Sequence, residues 1–247
     1  MRTKQDHLVQ PTSRVSRSPA TLQFPSKGSQ VVECGLRPIL LASNNVGKAL
    51  EIGAILGPVL AHSGFALYLP SQFGIEDWTV DETGDTFERN AVLKASTLAK
   101  VSGLPAMGED SGLCVDALDG APGVRSARWH DGDDAARNIA LLSLLQGVPP
   151  TRRGARFVCS VAVDFGNGQA VVAEGICRGE IAVAPAGQSG FGYDPVFFIP
   201  GLGLTFAQIG PDEKNRLSHR CKALEALAQK SFSIGPTESV TDSEWTD

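Results

Sequence analysis

The chain has 247 residues, of which 42% are hydrophobic, so it can form one large domain or two small ones with a sizeable core. Its formal net charge of −5 disfavours nucleic-acid binding through a broad basic surface, because such binding requires many phosphates to be neutralised. No apolar run reaches the roughly 18 residues of a membrane-spanning helix, so we expect no membrane association. The five cysteines are scattered without a C-x-x-C pair, which is typical of reduced thiols in a cytoplasmic protein.

Both ends of the chain differ from its centre. Residues 1–35 are rich in Ser, Thr, Gln and Pro and lack periodic apolar residues, which predicts a disordered N-terminal extension. Its basic residues are also compatible with a transit peptide, a dispensable tail or a misassigned start site. Residues 231–247 are polar and acidic and predict a flexible C-terminal tail. We therefore expect a single domain over residues 36–230.

Strand and helix patterns alternate within this central region. Strands are predicted for five apolar or β-rich runs, at residues 38–42, 104–108, 156–164, 170–177 and 180–184. Helices are predicted for four segments with helical spacing, at residues 48–56, 86–102, 133–146 and 218–230. This order predicts a mixed α/β or α+β fold with a long mixed central sheet flanked by helices.

The turn after the first predicted strand offers groups suited to phosphate. It combines small polar side chains, a glycine and a lysine: Ser43, Asn44, Asn45, Val46, Gly47 and Lys48. A strand, a polar turn and a helix in this order direct backbone N–H groups towards an anion. The turn lacks Walker-loop spacing, and many turns of this kind contain Asn, Gly and Lys, so an ordinary turn stays open as an alternative.

Carboxylates recur at four positions: Asp81, Glu82, Glu109 and Asp110. Mg²⁺ bound to phosphates usually takes only one or two protein carboxylates. We expect Glu109 and Asp110 at a strand end, where they could project into a crevice and deprotonate an attacking water; a solvated acidic turn or a helix cap is the alternative. Asn90 and Lys94 share a helix face, which is either a solvent-facing stripe or a means of bringing Lys94 to a phosphate.

A cluster near the C-terminus combines an aromatic ring with polar side chains. Phe191 supplies a face on which a flat ring can stack, and Asp194, Lys214, His219 and Arg220 supply donors and acceptors for the edge of that ring. His219 and Arg220 could instead only cap the last helix or pair with acids. Together with the phosphate turn, the cluster indicates a protein that handles a nucleotide.

These segments resemble, in the same order, the motifs of the inosine and xanthosine triphosphate pyrophosphatases, the Ham1-like family. The matching segments are LASNNVGK (41–48), ETGDTF (82–87), NAVLKA (90–95), EDSGL (109–113), GAPGV (120–124), SAR (126–128), FGYDP (191–195) and SHR (218–220) with Lys214. The similarity covers about residues 38–229. It implies an elongated two-lobed α/β fold with the active-site cleft between the lobes, usually as a homodimer. It also implies Mg²⁺-dependent hydrolysis of ITP, dITP, XTP and dXTP to the monophosphate and pyrophosphate.

The resemblance further implies roles for individual residues. Residues 43–48 and Lys94 would bind the triphosphate, Glu82 and Asp110 would bind the metal, and Asp110 would be the base that activates water. The implied contacts to the rest of the substrate come from Ser111, Phe191, Gly192, Tyr193, Asp194, Lys214, His219 and Arg220. Cationic donors near the purine 6-position would favour a keto oxygen over the amino group of adenine. Guanine also has a 6-keto group, so its rejection must involve the 2-position.

Two other functions remain open at the level of sequence. The Maf-like nucleotide pyrophosphatases are one alternative, but their Ser-x-Arg-Arg signature is missing after Ser43. A non-catalytic nucleotide-binding protein is the other, against which the presence of Lys48, Lys94 and Asp110 argues. Gln208 stands where the family usually has an acid, and could alter an interface or a metal contact.

Overall fold

The computed structural model describes residues 35–43, 45–76 and 78–232. Within these residues the strands are β1 (Arg37–Ala42), β2 (Phe65–Tyr68), β3 (Ala106–Val115), β4 (Gly154–Asp164), β5 (Ala170–Ile181), β6 (Phe197–Ile199) and β7 (Leu204–Thr205). The α-helices are α1 (Val46–His62), α2 (Phe87–Ser102), α3 (Asp134–Leu144), α4 (Pro211–Leu217) and α5 (His219–Ser231). None of these helices is long and apolar enough to cross a membrane. The predicted N-terminal extension and most of the predicted tail lie outside the described residues.

The seven strands form one sheet in the order β2–β1–β3–β4–β5–β6–β7. β1 pairs in parallel with β2 and β3, and all other neighbouring strands are antiparallel. Strands β3, β4 and β5 have 10, 11 and 12 residues, so the centre of the sheet is much longer than its edges. A mixed sheet of this kind with flanking helices confirms the predicted fold class.

Strand β3 differs from its prediction, because Glu109 and Asp110 lie in its middle and not at its end. The strand continues through Ser111 and Gly112 to Val115, and each of these residues pairs with β4. A β-carbon at position 112 would lie 2.4 Å from a backbone oxygen of the neighbouring loop. The glycine therefore lets that loop pack against the strand and does not mark a turn.

The strand predicted over residues 180–184 is not a separate element. Glu180 and Ile181 form the last two residues of β5, where they pair with Gly154 of β4 or with β6. The closing helix, in contrast, extends further than predicted: α5 ends at Ser231, and Phe232 packs edge-on against Phe65 with ring centroids 5.7 Å apart. Two residues assigned to the tail thus belong to the packed domain.

The two largest clusters of buried apolar residues lie at opposite ends of β3 and β4. One contains Met107 and Val161 and is covered by α1 and α5. The other contains Leu113 and Phe157 and is covered by α3 and the chain around β6. The middle of β3, which carries the acidic pair, therefore lies between two cores, and polar side chains there can face a cleft while their backbone is held rigidly.

Candidate active site

A pocket of about 180 Å³ opens where α1, β3, the loop at residues 191–194 and the start of α5 meet. The predicted site residues that line it come from these four elements and from α4, which carries Lys214: Asn45, Lys48, Ser111, Phe191, Gly192, Tyr193, Asp194, Lys214, His219 and Arg220. Ser43 and Val46 line a second pocket on the other side of the 43–48 turn, together with Trp78. Asn44 lies outside the described residues. The structure thus brings together most of the residues expected to bind substrate, although the first and last of those that line this pocket, Asn45 and Arg220, are 175 positions apart.

The N-terminus of α1 is exposed at the edge of this pocket. Asn45 is its N-cap: Asn45 Oδ1 accepts a hydrogen bond from Lys48 N at 3.0 Å, and Ser43 Oγ accepts one from Asn45 N at 3.2 Å. The side chains of Ser43 and Asn45 fix the turn. The N–H groups of Val46 and Gly47 lie in the first turn of the helix, where no carbonyl oxygen of a preceding turn accepts from them. A helix N-terminus with such donors favours a bound anion.

A compact group of charged residues lies on the α2 side of β3. Lys94 Nζ lies 2.7 Å from Glu82 Oε1 and 3.1 Å from Asp110 Oδ1. Asn90, four residues before Lys94 on the same face of α2, donates from Nδ2 to Asp110 Oδ2 at 3.0 Å. Asn90 and Lys94 are buried, so they are not a solvent-facing stripe. We call Glu82, Asn90, Lys94 and Asp110 the carboxylate centre.

Charge and burial set the protonation of the carboxylate centre. Burial raises the pKa of Asp110, and the charges of Lys94 and Lys48 offset this only in part. Burial would also raise the pKa of Glu82, but Lys94 and Arg128 outweigh it and lower that pKa. Burial opposes the charge on Lys94, yet the neighbouring acids, Asp110 first, raise its pKa. Asp110 is therefore suited to take a proton, while Glu82 stays ionised and Lys94 stays charged.

The carboxylate centre fits a hard cation such as Mg²⁺. Two carboxylates, Glu82 and Asp110, converge on one amine, so the structure already places a positive group between them. Among the described residues no group of three or more His, Cys, Asp or Glu side chains could hold a metal ion. A site with two carboxylates is typical of Mg²⁺ that completes its coordination with waters and substrate phosphates.

Glu109 serves a different part of the site from Asp110, because successive side chains in a strand point to opposite faces. Its carboxylate is fully buried and pairs with Lys48 Nζ at 2.7 Å and with Arg220 Nη2 at 3.0 Å. Burial would raise the pKa of Glu109, but the charges of Lys48 and Arg220 hold it well below its usual value. The acidic pair is therefore neither a solvated turn nor a helix cap. Glu109 links Lys48, at the end of the turn at residues 43–48, to Arg220, in the predicted cluster near the C-terminus.

Glu51 is a site residue that the sequence reasoning missed. Its carboxylate, on the buried side of α1, pairs with Lys214 Nζ at 2.8 Å and with the guanidinium of Arg220. The available signal was its position three residues after Lys48, which places both side chains on one helix face. Helix α1 thus carries both Lys48, for which the sequence predicts phosphate binding, and the carboxylate that holds the two cations of the pocket.

Aromatic rings form two walls of the pocket. Phe191 is half-buried, with Lys214 Nζ 4.5 Å from its ring centre. His219 stacks on Phe157 with ring centroids 4.7 Å apart and planes inclined by 12°. Burial, assisted by the charge of Arg220, lowers the pKa of His219 well below its usual value, so its imidazole is neutral. The pocket therefore offers rings for stacking, a neutral imidazole and two cationic donors.

The remaining predicted residues stabilise the pocket's shape. Asp194 Oδ2 accepts from Phe191 N at 2.9 Å and from Lys214 Nζ at 2.6 Å. Tyr193 is buried and its hydroxyl donates to Ser126 O at 3.0 Å. Gln208 has a structural role: its Oε1 accepts a hydrogen bond from Thr205 N at 2.9 Å, which an acid could also do.

Comparisons with known proteins identify the family of this chain. The sequence matches the profile of the Ham1 family over residues 39–230. A dITP/XTP pyrophosphatase of Pseudomonas syringae pv. tomato is 44% identical over 198 residues, which cover 79% of this chain and 97% of that protein. The solved structure of a HAM1 protein from Coxiella burnetii is 38% identical, has a TM-score of 0.70, and covers 79% of this chain and 98% of its own. A solved nucleoside-triphosphatase, or dITP/XTP pyrophosphatase, from Mycobacterium abscessus is 45% identical with a TM-score of 0.63, over 77% of this chain and 97% of its own. The chain belongs to the Ham1 family.

Proposed function

We propose that this protein hydrolyses non-canonical purine nucleoside triphosphates, namely ITP, dITP, XTP and dXTP, to the monophosphate and pyrophosphate. The observation that carries the proposal is the position of Lys48. It pairs with the buried Glu109 of β3 and lines the aromatic pocket, and its charge acts on Asp110 in the carboxylate centre. One substrate could therefore place its phosphates at the carboxylate centre and its base in the pocket. Relatives at 44–45% identity are named dITP/XTP pyrophosphatases.

In the proposed reaction, α1 and two lysines bind the triphosphate. The N–H groups at the start of α1 and the ammonium groups of Lys48 and Lys94 face the phosphate oxygens and stabilise the charge that develops on them. Asp110 accepts a proton from the attacking water, which is consistent with its raised pKa. The oxygen of that water joins the monophosphate as the anhydride bond between the α- and β-phosphates breaks, and pyrophosphate leaves.

The proposed metal is Mg²⁺, held by Glu82 and Asp110. When bound, it would neutralise charge on the phosphate oxygens and polarise the attacking water. Arg128 Nη1 lies 3.1 Å from Glu82 Oε2 and would hold this carboxylate in place. A homodimer and a cytoplasmic location complete the proposal. The dimer rests on the family resemblance, and size-exclusion chromatography with light scattering would test it. The location rests on the scattered cysteines.

Base selection follows from the donors in the pocket. Arg220 and Lys214 carry N–H groups and no acceptor, so a 6-keto oxygen can pair with them where the 6-amino group of adenine cannot. A buried donor left without a partner costs about 1–3 kcal/mol, which is enough for roughly 5- to 150-fold discrimination. Ser111 Oγ accepts a hydrogen bond from Arg220 Nη2 at 3.1 Å and so orients this guanidinium towards the pocket.

A direct assay tests the proposed function. The protein is incubated with ITP, dITP, XTP, ATP or GTP in the presence of Mg²⁺, and orthophosphate is separated from pyrophosphate. We expect pyrophosphate from ITP, dITP and XTP at rates well above those for ATP. Release of orthophosphate alone, or equal rates with ATP, would refute the proposal and favour another nucleotide hydrolase.

A further inference from the structure

Gly192 lies next to the proposed stacking ring of Phe191. Side chains of helix α3 make hydrogen bonds to both its N–H group and its carbonyl oxygen. Gly192 N donates to Asp134 Oδ2 at 2.6 Å, and Gly192 O accepts from Asn138 Nδ2 at 3.0 Å. Asp134 and Asn138 are four residues apart, so both side chains project from one face of α3. We call this pair of hydrogen bonds the glycine clamp.

Helix α3 is a firm support for the clamp. Its N-cap, Asp133, accepts a hydrogen bond from Ala136 N at 2.9 Å. Arg137 holds the clamp carboxylate from its other side, because its Nη2 donates to Asp134 Oδ1 and its Nη1 donates to Gly132 O at 2.8 Å. Leu141, one turn further along, is fully buried in the core that also contains Tyr193. The carboxylate of Asp134 is therefore fixed by the helix before it meets the loop.

Gly192 needs such support because its backbone is unusually free. Its φ of +63° lies in the left-handed region, and a glycine there can move to other conformations more easily than any other residue. Tyr193 and Asp194, which follow it, are already held by Ser126 and Lys214. Phe191 is itself joined to Asp194, because its N donates to Asp194 Oδ2 at 2.9 Å. Rotation at Gly192 would therefore turn the peptide between residues 191 and 192 about this bond and displace the ring that forms a wall of the pocket.

The burial of Asn138 also indicates that the clamp on Gly192 has a role. It is only 4% exposed, and its Oδ1 has no hydrogen-bond partner among the described residues. Burying an amide is unfavourable unless it makes hydrogen bonds, and an apolar side chain would fill the same space without that cost. The hydrogen bond from Nδ2 to Gly192 O is what the amide contributes at this position.

We infer that Asp134 and Asn138 are positioning residues that hold Phe191 in its stacking orientation before the purine arrives. Neither residue needs to touch the reacting phosphates. A loop ordered in advance does not lose conformational entropy on binding, so the clamp should strengthen binding of the base and leave the hydrolytic step unchanged. This inference rests on the proposed function, because it assigns the ring of Phe191 to a purine.

The test compares Asp134→Asn with Asp133→Asn, which makes the same change one residue earlier and retains a good N-cap. For Asp134→Asn we expect KM for ITP to rise roughly three- to tenfold, since the hydrogen bond from Gly192 N then ends on a neutral amide oxygen and the ion pair with Arg137 that fixes the acceptor is lost. We expect kcat and the inhibition constant of tripolyphosphate, a probe without a base, to stay within about twofold. Asp133→Asn should match the wild type in all three quantities, and the melting temperature reports whether each variant is folded.

Asn138→Asp provides a second, sharper variant, because it places a carboxylate against the carbonyl oxygen of Gly192. It should raise KM for ITP more than Asp134→Asn does. If Asn138→Asp does not fold, the inference is tested by Asp134→Asn alone, because Asp134 is half-exposed and its replacement is compatible with folding. An unchanged KM in Asp134→Asn, or an equal loss of kcat and tripolyphosphate binding, would overturn the inference.

Amide hydrogen exchange separates this inference from the proposed function. Exchange at residues 191–193 should be faster in Asp134→Asn than in Asp133→Asn, whatever the substrate is. If wild-type protein released no pyrophosphate from ITP, the proposed function would fail while the exchange result still reported on the clamp. Equal exchange in the two variants would show that no clamp exists.

Discussion

The first turn of α1 touches the proposed stacking ring: a β-carbon built on Gly47 would lie 3.0 Å from Cδ1 of Phe191. The proposed phosphate-binding turn at residues 43–48 and the proposed base pocket therefore share a wall. A ligand that binds α1 through its phosphates and Phe191 through its base would contact both partners, Gly47 and the ring. The close approach also explains why a residue without a β-carbon suits position 47, although glycine is a poor helix former.

Gly47→Ala should separate binding from stability. The added methyl group must displace the ring of Phe191 by a few tenths of an ångström, so we expect KM for ITP to rise several-fold. Alanine favours the helix by up to about 1 kcal/mol relative to glycine, so the stability should be unchanged or higher. Steady-state kinetics and urea unfolding measure the two effects. Gly57→Ala, in the same helix but with open space at the β-carbon, is the matched control and should leave KM unchanged.

Glu51→Gln should weaken both the fold and the base pocket. It removes the carboxylate shared by Lys214 and Arg220, and leaves two buried cations with Asp194 and Glu109 as their remaining partners. Breaking such a buried network should lower the free energy of unfolding by about 1–3 kcal/mol and raise KM for ITP. Urea unfolding and initial rates provide the measurements. The exposed Glu88→Gln is the control, and a Glu51 variant that behaved like it would contradict the role given to Glu51.

Asp110→Asn should remove turnover and largely preserve nucleotide binding. The amide cannot accept the proton of the attacking water, and loss of such a base typically lowers rates about 10²- to 10⁴-fold. Single-turnover rates with ITP and calorimetric binding of the nucleotide distinguish the two steps. Asp116→Asn, at an exposed position directly after β3, should retain the wild-type rate. Loss of binding with a residual rate would argue against Asp110 as the base.

Local patterns predicted the elements that pack on their own, but not those held by distant partners. Strand β1, the turn after it and the start of α1 were visible because an apolar run is followed by a capping asparagine. Strands β6 and β7 have three and two residues, too few for a period-two pattern, and are held in the sheet by pairing. Strand β2 was missed because it is also short: its four residues are held in the sheet by parallel pairing with β1.

The site shows the same division. Phe191, Lys214, His219 and Arg220 were grouped from the sequence because they lie within thirty residues of one another. The opposite directions of Glu109 and Asp110 were not predicted, because a strand end was expected where the strand continues. Glu51 and Asp134 act through contacts 169 and 58 residues away, which no local pattern can indicate.

The pH dependence of stability should reveal the buried imidazole of His219. Its pKa lies well below the 6.5 of an unfolded histidine, first because of burial and then because of Arg220. Below pH 6.5 the unfolded chain therefore binds a proton that the folded protein does not, and stability falls as the pH falls, by up to about 1.4 kcal/mol per pH unit.

Replacing this histidine isolates its contribution from that of other groups. Burial raises the pKa of Asp110 and Asp194, so their protonation favours the folded state and gives a slope of the opposite sign in acid. These contributions cancel when the pH-dependent change in the free energy of unfolding of His219→Gln is subtracted from that of the wild type. We expect the loss of stability between pH 7.5 and 5.5, measured by urea unfolding, to be smaller in His219→Gln than in the wild type. The exposed His62→Gln should follow the wild-type profile; if His219→Gln did so too, the imidazole would not be neutral in the folded protein.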